Sequence, residues 1–287
     1  MTRPFTGSEA LKSGEVTRHS LRRRFVALHP DVYAPPDVDL TAQNRAYAAW
    51  LWSKRRGTVG GQSASALHGA KWVDPRAPAQ LLYQHRRPPP SIITWSNSLT
   101  ADEIEAVACI PVTTPARTAF DLASRYPTGK AVAAVDALAR ATRLQTADLE
   151  PILERNKGHR NIRNARKALA LIDPGAQSPK ETWLRLLVIE AGYPPPQTQI
   201  PIYGRYGELV GIVDMGWETI QLALEYEGQH HRTSAQFAKD VARYDTMTND
   251  LDWLIIRVTS QDTPGGVLGR LAAAWSRRMC NEGGKIA

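Results

Sequence analysis

At 287 residues, with 43% hydrophobic and 22% charged side chains, the chain is long enough for two cored domains and has an ordinary globular composition. No uninterrupted apolar run approaches ~18 residues, and M-T-R-P-F-T-G-S-E-A lacks a signal peptide's apolar core, which argues against a membrane span and for a cytoplasmic protein. Cys109 and Cys280 stand alone and far apart, so neither a disulfide framework nor a Cys-rich zinc site is expected.

The net charge of +8 is unevenly placed. Residues 1–100 hold 14 Lys/Arg against 6 Asp/Glu, whereas residues 101–287 hold 22 of each. A basic amino-terminal module joined to a charge-balanced remainder points to a polyanion-binding unit that carries something else. The alternative is a basic surface without a partner.

In chain order, Thr6 to Lys12 is predicted as a short helix, Gly14 breaks it, and Thr17 caps a second helix over T-R-H-S-L-R-R-R-F with Leu21 and Phe25 on one face. Arg18, His19, Arg22 and Arg23 lie away from that edge, and together with Arg24 they are the candidate DNA-binding side chains. Helix, tight turn and basic helix is the plan of a helix-turn-helix, whose second helix enters the major groove. V-A-L-H-P-D-V-Y-A-P-P then reads as strand, turn at His29-Pro30-Asp31, and strand, which suits a wing. The arginines would serve as phosphate anchors or as guanine readers, and the sequence leaves both open.

This region resembles the winged-helix domain of AbiEi-type antitoxins and related actinobacterial regulators, in which a small basic helix precedes an L-H-P-x-V-Y segment. The resemblance extends through G-G-Q-S-A-S-A-L-H-G at 60–69, I-P-V-T-T-P-A-R-T-A-F-D-L-A at 110–123 and A-A-V-D-A-L at 133–138, and covers roughly half the chain. It implies a transcriptional repressor or antitoxin with a cognate toxin protein as partner.

Leu40 to Arg56 reads as an amphipathic helix and Ser63 to His68 as the start of another, with His68 taken as a packed core histidine. Gln80 to Trp95 reads as two strands around R-R-P-P-P. Thr114 caps a helix with Pro115 at its first position, and Arg117 and Asp121, four apart, form a structural pair. Lys130 to Lys167 is helical in pattern with a break near Lys157-Gly158. Arg155, Lys157, Arg160, Arg163, Arg166 and Lys167 make it either a solvated basic face or a track for a phosphate backbone. Asp173-Pro174-Gly175 then marks a domain boundary.

Beyond it, Ser178, Pro179 and Glu181 open an amphipathic helix, and Glu181 reads equally as a capping-box residue and as a candidate ligand. Y-P-P-P-Q cannot be helical, and I-P-I-Y-G-R turns at Tyr206-Gly207 into a strand from Glu208 to Asp214. After a hairpin-like turn, Leu222, Leu224 and Tyr226 should point one way and Ala223, Glu225 and Glu227 the other. Carboxylates at i and i+2, with Asp214 on the neighbouring strand, make an all-oxygen pocket suited to a hard divalent cation. His230 or His231 beside it could act as general base. The competing reading is an edge strand with its charges in water. A helix from Ser234 to about Asn249 carrying Lys239, Asp240 and Arg243, a buried strand W-L-I-I-R-V, and a helix over Gly266–Met279 complete the pattern.

The order helix, three strands, helix, strand, helix, with Glu181, Asp214 and Glu225 in place, resembles the PD-(D/E)XK nuclease fold in its branch related to very-short-patch repair endonucleases. The resemblance implies Mg2+ or Mn2+ held by Glu181, Asp214 and Glu225, with catalysis drawing on Asp214, Glu225, Glu227, His230 and His231. One departure is plain: the lysine two residues after the strand acid is replaced by Glu227. In the related repair enzymes strand-end histidines serve instead, so His230 or His231 can stand in; alternatively Glu227 is a further ligand.

The resulting expectation is a mixed α+β or α/β chain of three parts. These are a basic winged-helix domain (1–75), a mixed strand and helix middle region (76–173) and a nuclease-like domain with a mixed sheet flanked by helices (174–287). The expected function is a divalent-metal-dependent endonuclease or nickase acting on double-stranded DNA. The alternative is a repressor or antitoxin with an inactive nuclease-like domain, and self-association into a homodimer is left open.

Overall fold

A computed structural model describes residues 2–85, 87–228 and 234–283. The chain divides into two compact units, Met1–Pro174 and Gly175–Ala287, each a mixture of helices and mixed or antiparallel sheet. Among the described residues no helix is long and apolar enough to cross a membrane.

The first unit begins with β1 (Phe5–Thr6), α1 (Gly7–Lys12), α2 (Arg18–Arg24), β2 (Val26–His29) and β3 (Val32–Ala34), with the strands in the order β1-β3-β2. Thr17 and Ser20 form the reciprocal cap that starts α2, which satisfies donors that the first helical turn would otherwise leave open. Ala10, Val16 and Leu21 make a small core on which Phe5, Phe25 and Tyr33 close. Asp31, at φ 63 in the β2–β3 turn, ties the turn to α1 by accepting hydrogen bonds from the Ser8 amide (2.8 Å) and hydroxyl (2.6 Å).

There follow α3 (Ala42–Trp52), β4 (Thr58–Val59), α4 (Gly61–Leu67), β5 (Ala79–Leu82), β6 (Ile92–Trp95), β7 (Ile104–Val107), β8 (Ile110–Thr113), α5 (Pro115–Arg125), α6 (Thr128–Thr142), α7 (Glu150–Arg155) and α8 (Ile162–Leu169). The five strands order as β6-β5-β4-β8-β7. The division expected at 75/76 therefore falls inside one sheet, because β4 on one side of it is hydrogen-bonded to β5 and β8 on the other. The stretch expected to be helical over 130–167 is also broken earlier than anticipated, at Arg143, whose left-handed φ of 58 ends α6.

Arg117, only 2% exposed, lies between Glu103 (2.7 Å) and Asp121 (3.2 Å). Asp121 was anticipated from the four-residue spacing; Glu103 comes from a distant 3-10 turn and is itself 1% exposed. Burial pushes the Asp121 carboxyl above its ordinary range, and Arg117 and Arg125 pull it back.

In the second unit, α9 (Pro179–Glu190) is followed by β9 (Gln197–Tyr203), β10 (Leu209–Trp217), β11 (Leu222–Glu227), α10 (Ser234–Asp245), a π-helical turn (Thr246–Asp250), β12 (Leu254–Thr259) and α11 (Pro264–Gly283). The sheet orders as β12-β11-β10-β9, with β11 and β12 parallel and the other pairs antiparallel. Residues 214–217 belong to β10, and the turn expected there is made by a short 3-10 segment, Glu218–Ile220. Leu222 and Leu224 pack with Leu184 and Val188 of α9 and Val267 and Leu271 of α11. Ala223 packs in a second core with Ile200, Val213, Met247 and Trp253. Both faces of β11 are thus covered, which explains its near-continuous apolar run.

Removing Arg117 takes away the buried cation that Glu103 and Asp121 share, leaving Glu103 only its contact with Arg155. Arg117→Met is expected to lower the stability of the first unit by about 3–5 kcal/mol, read as earlier loss of amide-exchange protection in α5 on denaturant titration.

Candidate functional site

The four acids singled out by sequence lie in the second unit on three elements: Glu181 in the first turn of α9, Asp214 in β10, and Glu225 and Glu227 in β11. β11 is an interior strand, so the edge-strand reading is set aside. Glu225 is not on a wet face, since its side chain is 8% exposed.

A backbone irregularity brings Asp214 to Glu225. The β9–β10 ladder pairs Ile200 with Val213 and Thr198 with Met215, so Gln199 sits across from Asp214 between them. Gln199 has φ 54, a conformation that costs a non-glycine residue on the order of 1 kcal/mol or more. Val213 and Met215, two residues apart, consequently pack in opposite cores, and the side-chain alternation slips at Asp214. The Asp214 carboxylate then accepts the Tyr226 backbone N–H at 2.7 Å, just past the end of the regular β10–β11 ladder at Met215 and Leu224.

Burial is the main reason that the Asp214 carboxyl is pushed up to about 6, with Glu181 and Glu227 adding repulsion while the Tyr226 amide and Arg243 oppose it. Glu225 is pushed up to about 7, again chiefly by burial, and Asp214 and Glu227 add to the rise against Arg243 and Arg257. The acids therefore share one electrostatic environment, as expected when carboxylates are desolvated together. Glu181 keeps its capping function as well: its amide donates to Ser178 Oγ at 3.2 Å, and its carboxylate accepts the Gln177 amide at 2.7 Å and Gln199 Nε2 at 3.4 Å. The two readings of Glu181 coexist.

Glu227 is held by Arg257 Nε at 2.6 Å and by the Tyr244 hydroxyl at 3.2 Å. The Arg257 guanidinium lies 4.6 Å from the centre of the Tyr244 ring. A second guanidinium, Arg243 on α10, stands 3.9 Å from Glu225. The donor set is oxygen only, which suits a hard cation. Among the described residues, however, no three His, Cys, Asp or Glu side chains are gathered closely enough to hold a metal ion. His230 and His231 lie outside the described residues.

Sequence reading missed Gln199, Tyr244, Arg243 and Arg257 as members of this site. Arg243 and Arg257 were visible as charges on a helix and a strand, but their acidic neighbours come from non-local placement: the parallel β11–β12 register sets Arg257 beside Glu225, and Arg243 reaches Glu225 from α10.

In the first unit, Arg18, His19, Arg22, Arg23 and Arg24 are all exposed on α2, whose buried residue is Leu21. None of the five has an ion-pair partner among the described residues. Elsewhere, His68 is packed as anticipated, its Nε2 at 2.8 Å from the Thr113 carbonyl. The basic run after residue 154 is partly structural: Arg155 reaches Asp102 and Glu103, and Arg166 reaches Glu154.

Residues 58–171 match the family described as the AbiEi antitoxin C-terminal domain. Two uncharacterized proteins from two strains of Mycobacterium tuberculosis are each 29% identical to the chain over 245 residues, covering 84% of it and 89% of their own length. No solved structure matches.

Glu225 binds its proton more tightly in the folded chain than in the unfolded one, so its contribution falls as pH rises from about 4.5 to about 7 and stays low above that. Glu225→Gln is therefore expected to stabilise the second unit at pH 8 by on the order of 2 kcal/mol and to have little effect at pH 5. Urea unfolding at the two pH values checks this.

Proposed function

We propose that the chain is a DNA-binding regulator of the antitoxin kind, in which α2 contacts duplex DNA. The observation that carries this reading is the exposed surface of α2, where five basic side chains have no acidic ion-pair partner among the described residues while Leu21 is the buried residue. The element order β1-α1-α2-β2-β3 supports a winged helix, with β2 and β3 as the wing. The antitoxin family match over 58–171 supports the regulatory role and, with it, a toxin protein as partner. Arg22→Ala with Arg23→Ala should weaken protection of the chain's own promoter. It should also reduce the slope of log affinity against log salt by about 1–2, as expected for lost phosphate contacts. An unchanged slope in a fluorescence-anisotropy titration would sink this assignment.

A second reading rests on a different observation, the burial of Glu225 on an interior strand beside Asp214, whose charge raises its pKa, while Glu181 in turn raises that of Asp214. It makes the second unit a Mg2+- or Mn2+-dependent endonuclease or nickase of the PD-(D/E)XK kind, in which Glu181, Asp214 and Glu225, not gathered into one ligand set here, would have to draw together on the ion. A divalent cation there would supply an activated water and stabilise charge on the scissile phosphate. The chain's own residues divide the remaining work. The Tyr226 amide orients Asp214, Ser178 and Gln177 fix the start of α9 beneath Glu181, and Arg257 with Tyr244 holds Glu227. Supercoiled plasmid should be nicked with Mn2+ by the wild type and left intact by Asp214→Ala. Intact plasmid in both cases would leave the unit as a retained scaffold.

A further inference from the structure

We propose that the exposed face of the β9–β10 hairpin in the second unit is a self-association surface, on which a second copy of the chain packs about a two-fold axis. Neither bound DNA nor an ion is needed for it.

One face of the hairpin is already used. Ile200, Ile202 and Val213 point into the core that Met247 and Trp253 close. On the other face the ladder sets Pro201 opposite Ile212 and Tyr203 opposite Leu209, and directly opposed residues of an antiparallel pair share a side of the sheet. The bulge between Leu209 and Gly211 lets Leu209 and Ile212, three residues apart in sequence, lie on that same side. Tyr203 is 57%, Leu209 55% and Ile212 44% exposed, and Tyr206 at the hairpin tip is 96% exposed. An apolar stripe rich in tyrosine has the composition of a protein contact rather than of a solvated strand.

The surroundings of the stripe select its occupant. β9 is an edge strand, but Pro201 has no N–H to offer and Gln199 interrupts the extended backbone, so the edge is poorly suited to an added peptide strand and the face is what remains open. At the hairpin turn stand Arg205 and Glu208, both exposed and neither in an ion pair among the described residues. Their charges cancel, which leaves a polyanion little to hold. Opposite in sign and close in sequence, they allow a two-fold copy to set Arg205 of each chain against Glu208 of the other, the self-complementarity that an isologous interface requires. The patch is small, so the pair is a weak, concentration-dependent dimer rather than an obligate one. On the DNA-binding reading above, such a pair brings a second α2 to a palindromic site.

The test is sedimentation equilibrium of the full chain, without DNA, from about 1 to 200 µM. The wild type is expected to dimerise reversibly in this range, and Tyr203→Ser with Leu209→Ser should raise the dissociation constant roughly 100-fold, the scale of two lost anchor side chains. Arg205→Glu and Glu208→Arg should each be monomeric alone, and their equimolar mixture should dimerise, because each variant then meets its opposite charge on the other. The Glu208 carboxylate also accepts the Tyr206 amide at 3.1 Å, so if Glu208→Arg does not fold by circular dichroism, Arg205→Glu and the serine variant decide alone. A dimer that survives the two serines in a folded chain overturns the surface, and a folded mixture that stays monomeric overturns the two-fold pairing. A wild type that is monomeric at the highest concentration overturns the proposal as a whole; if its affinity for duplex DNA falls with the two serines, the stripe belongs to nucleic acid instead.

Discussion

Carboxylates lowered beneath the surface of an interior strand have three ways to exist: protonated, paired with a cation, or held apart. The second unit uses all three. Glu225 and Asp214 are pushed toward neutrality, Glu227 is locked to Arg257, and Glu181 is drawn off into the cap of α9. That arrangement sets what the surroundings must be: an interior position for β11, an arginine on β12 and another on α10, and a backbone amide aimed at Asp214. A sheet assembled for packing alone would gain from replacing such groups by apolar ones of similar size.

The first unit handles charge differently. Its buried acids, Glu103 and Asp121, are answered by Arg117 at short distance, and the exposed guanidinium of Arg155 adds a second contact to Glu103. Charge there is neutralised inside, while the arginines of α2 are exposed with no ion-pair partner among the described residues. The same residue type is thus structural at 117 and available to a ligand at 22 and 23, and only burial tells the two apart.

Much of the architecture was legible in the sequence because the local signals agree with one another. Thr17, Thr114 and Ser178 cap where capping chemistry places them, and the element order after Pro179 follows from hydrophobic periodicity and the prolines of Y-P-P-P-Q. What could not be read was non-local. β4 is two residues long and owes its existence to partners on either side, so a boundary drawn from local pattern cut through its sheet. The bend at Gln199 carries no signature, since nothing about a glutamine announces a left-handed backbone. Arg243 and Arg257 were visible as charges, yet Arg257 meets its acids only through a parallel register formed across an intervening helix, and Arg243 only through the placement of that helix. The strand acids were legible for a simpler reason: carboxylates inside an apolar run break the pattern of their own strand.

The parallel pairing of β11 with β12 also has a kinetic meaning. β9, β10 and β11 are joined by short turns and can meet early, whereas β12 reaches β11 only after α10 has crossed over, a closure of higher contact order. Arg257 therefore arrives at Glu227 late. Until it does, the nascent three-stranded sheet exposes an unpaired β11 edge carrying uncompensated negative charge, and that charge disfavours edge-to-edge association with another chain at the stage when the protein is most vulnerable to aggregation.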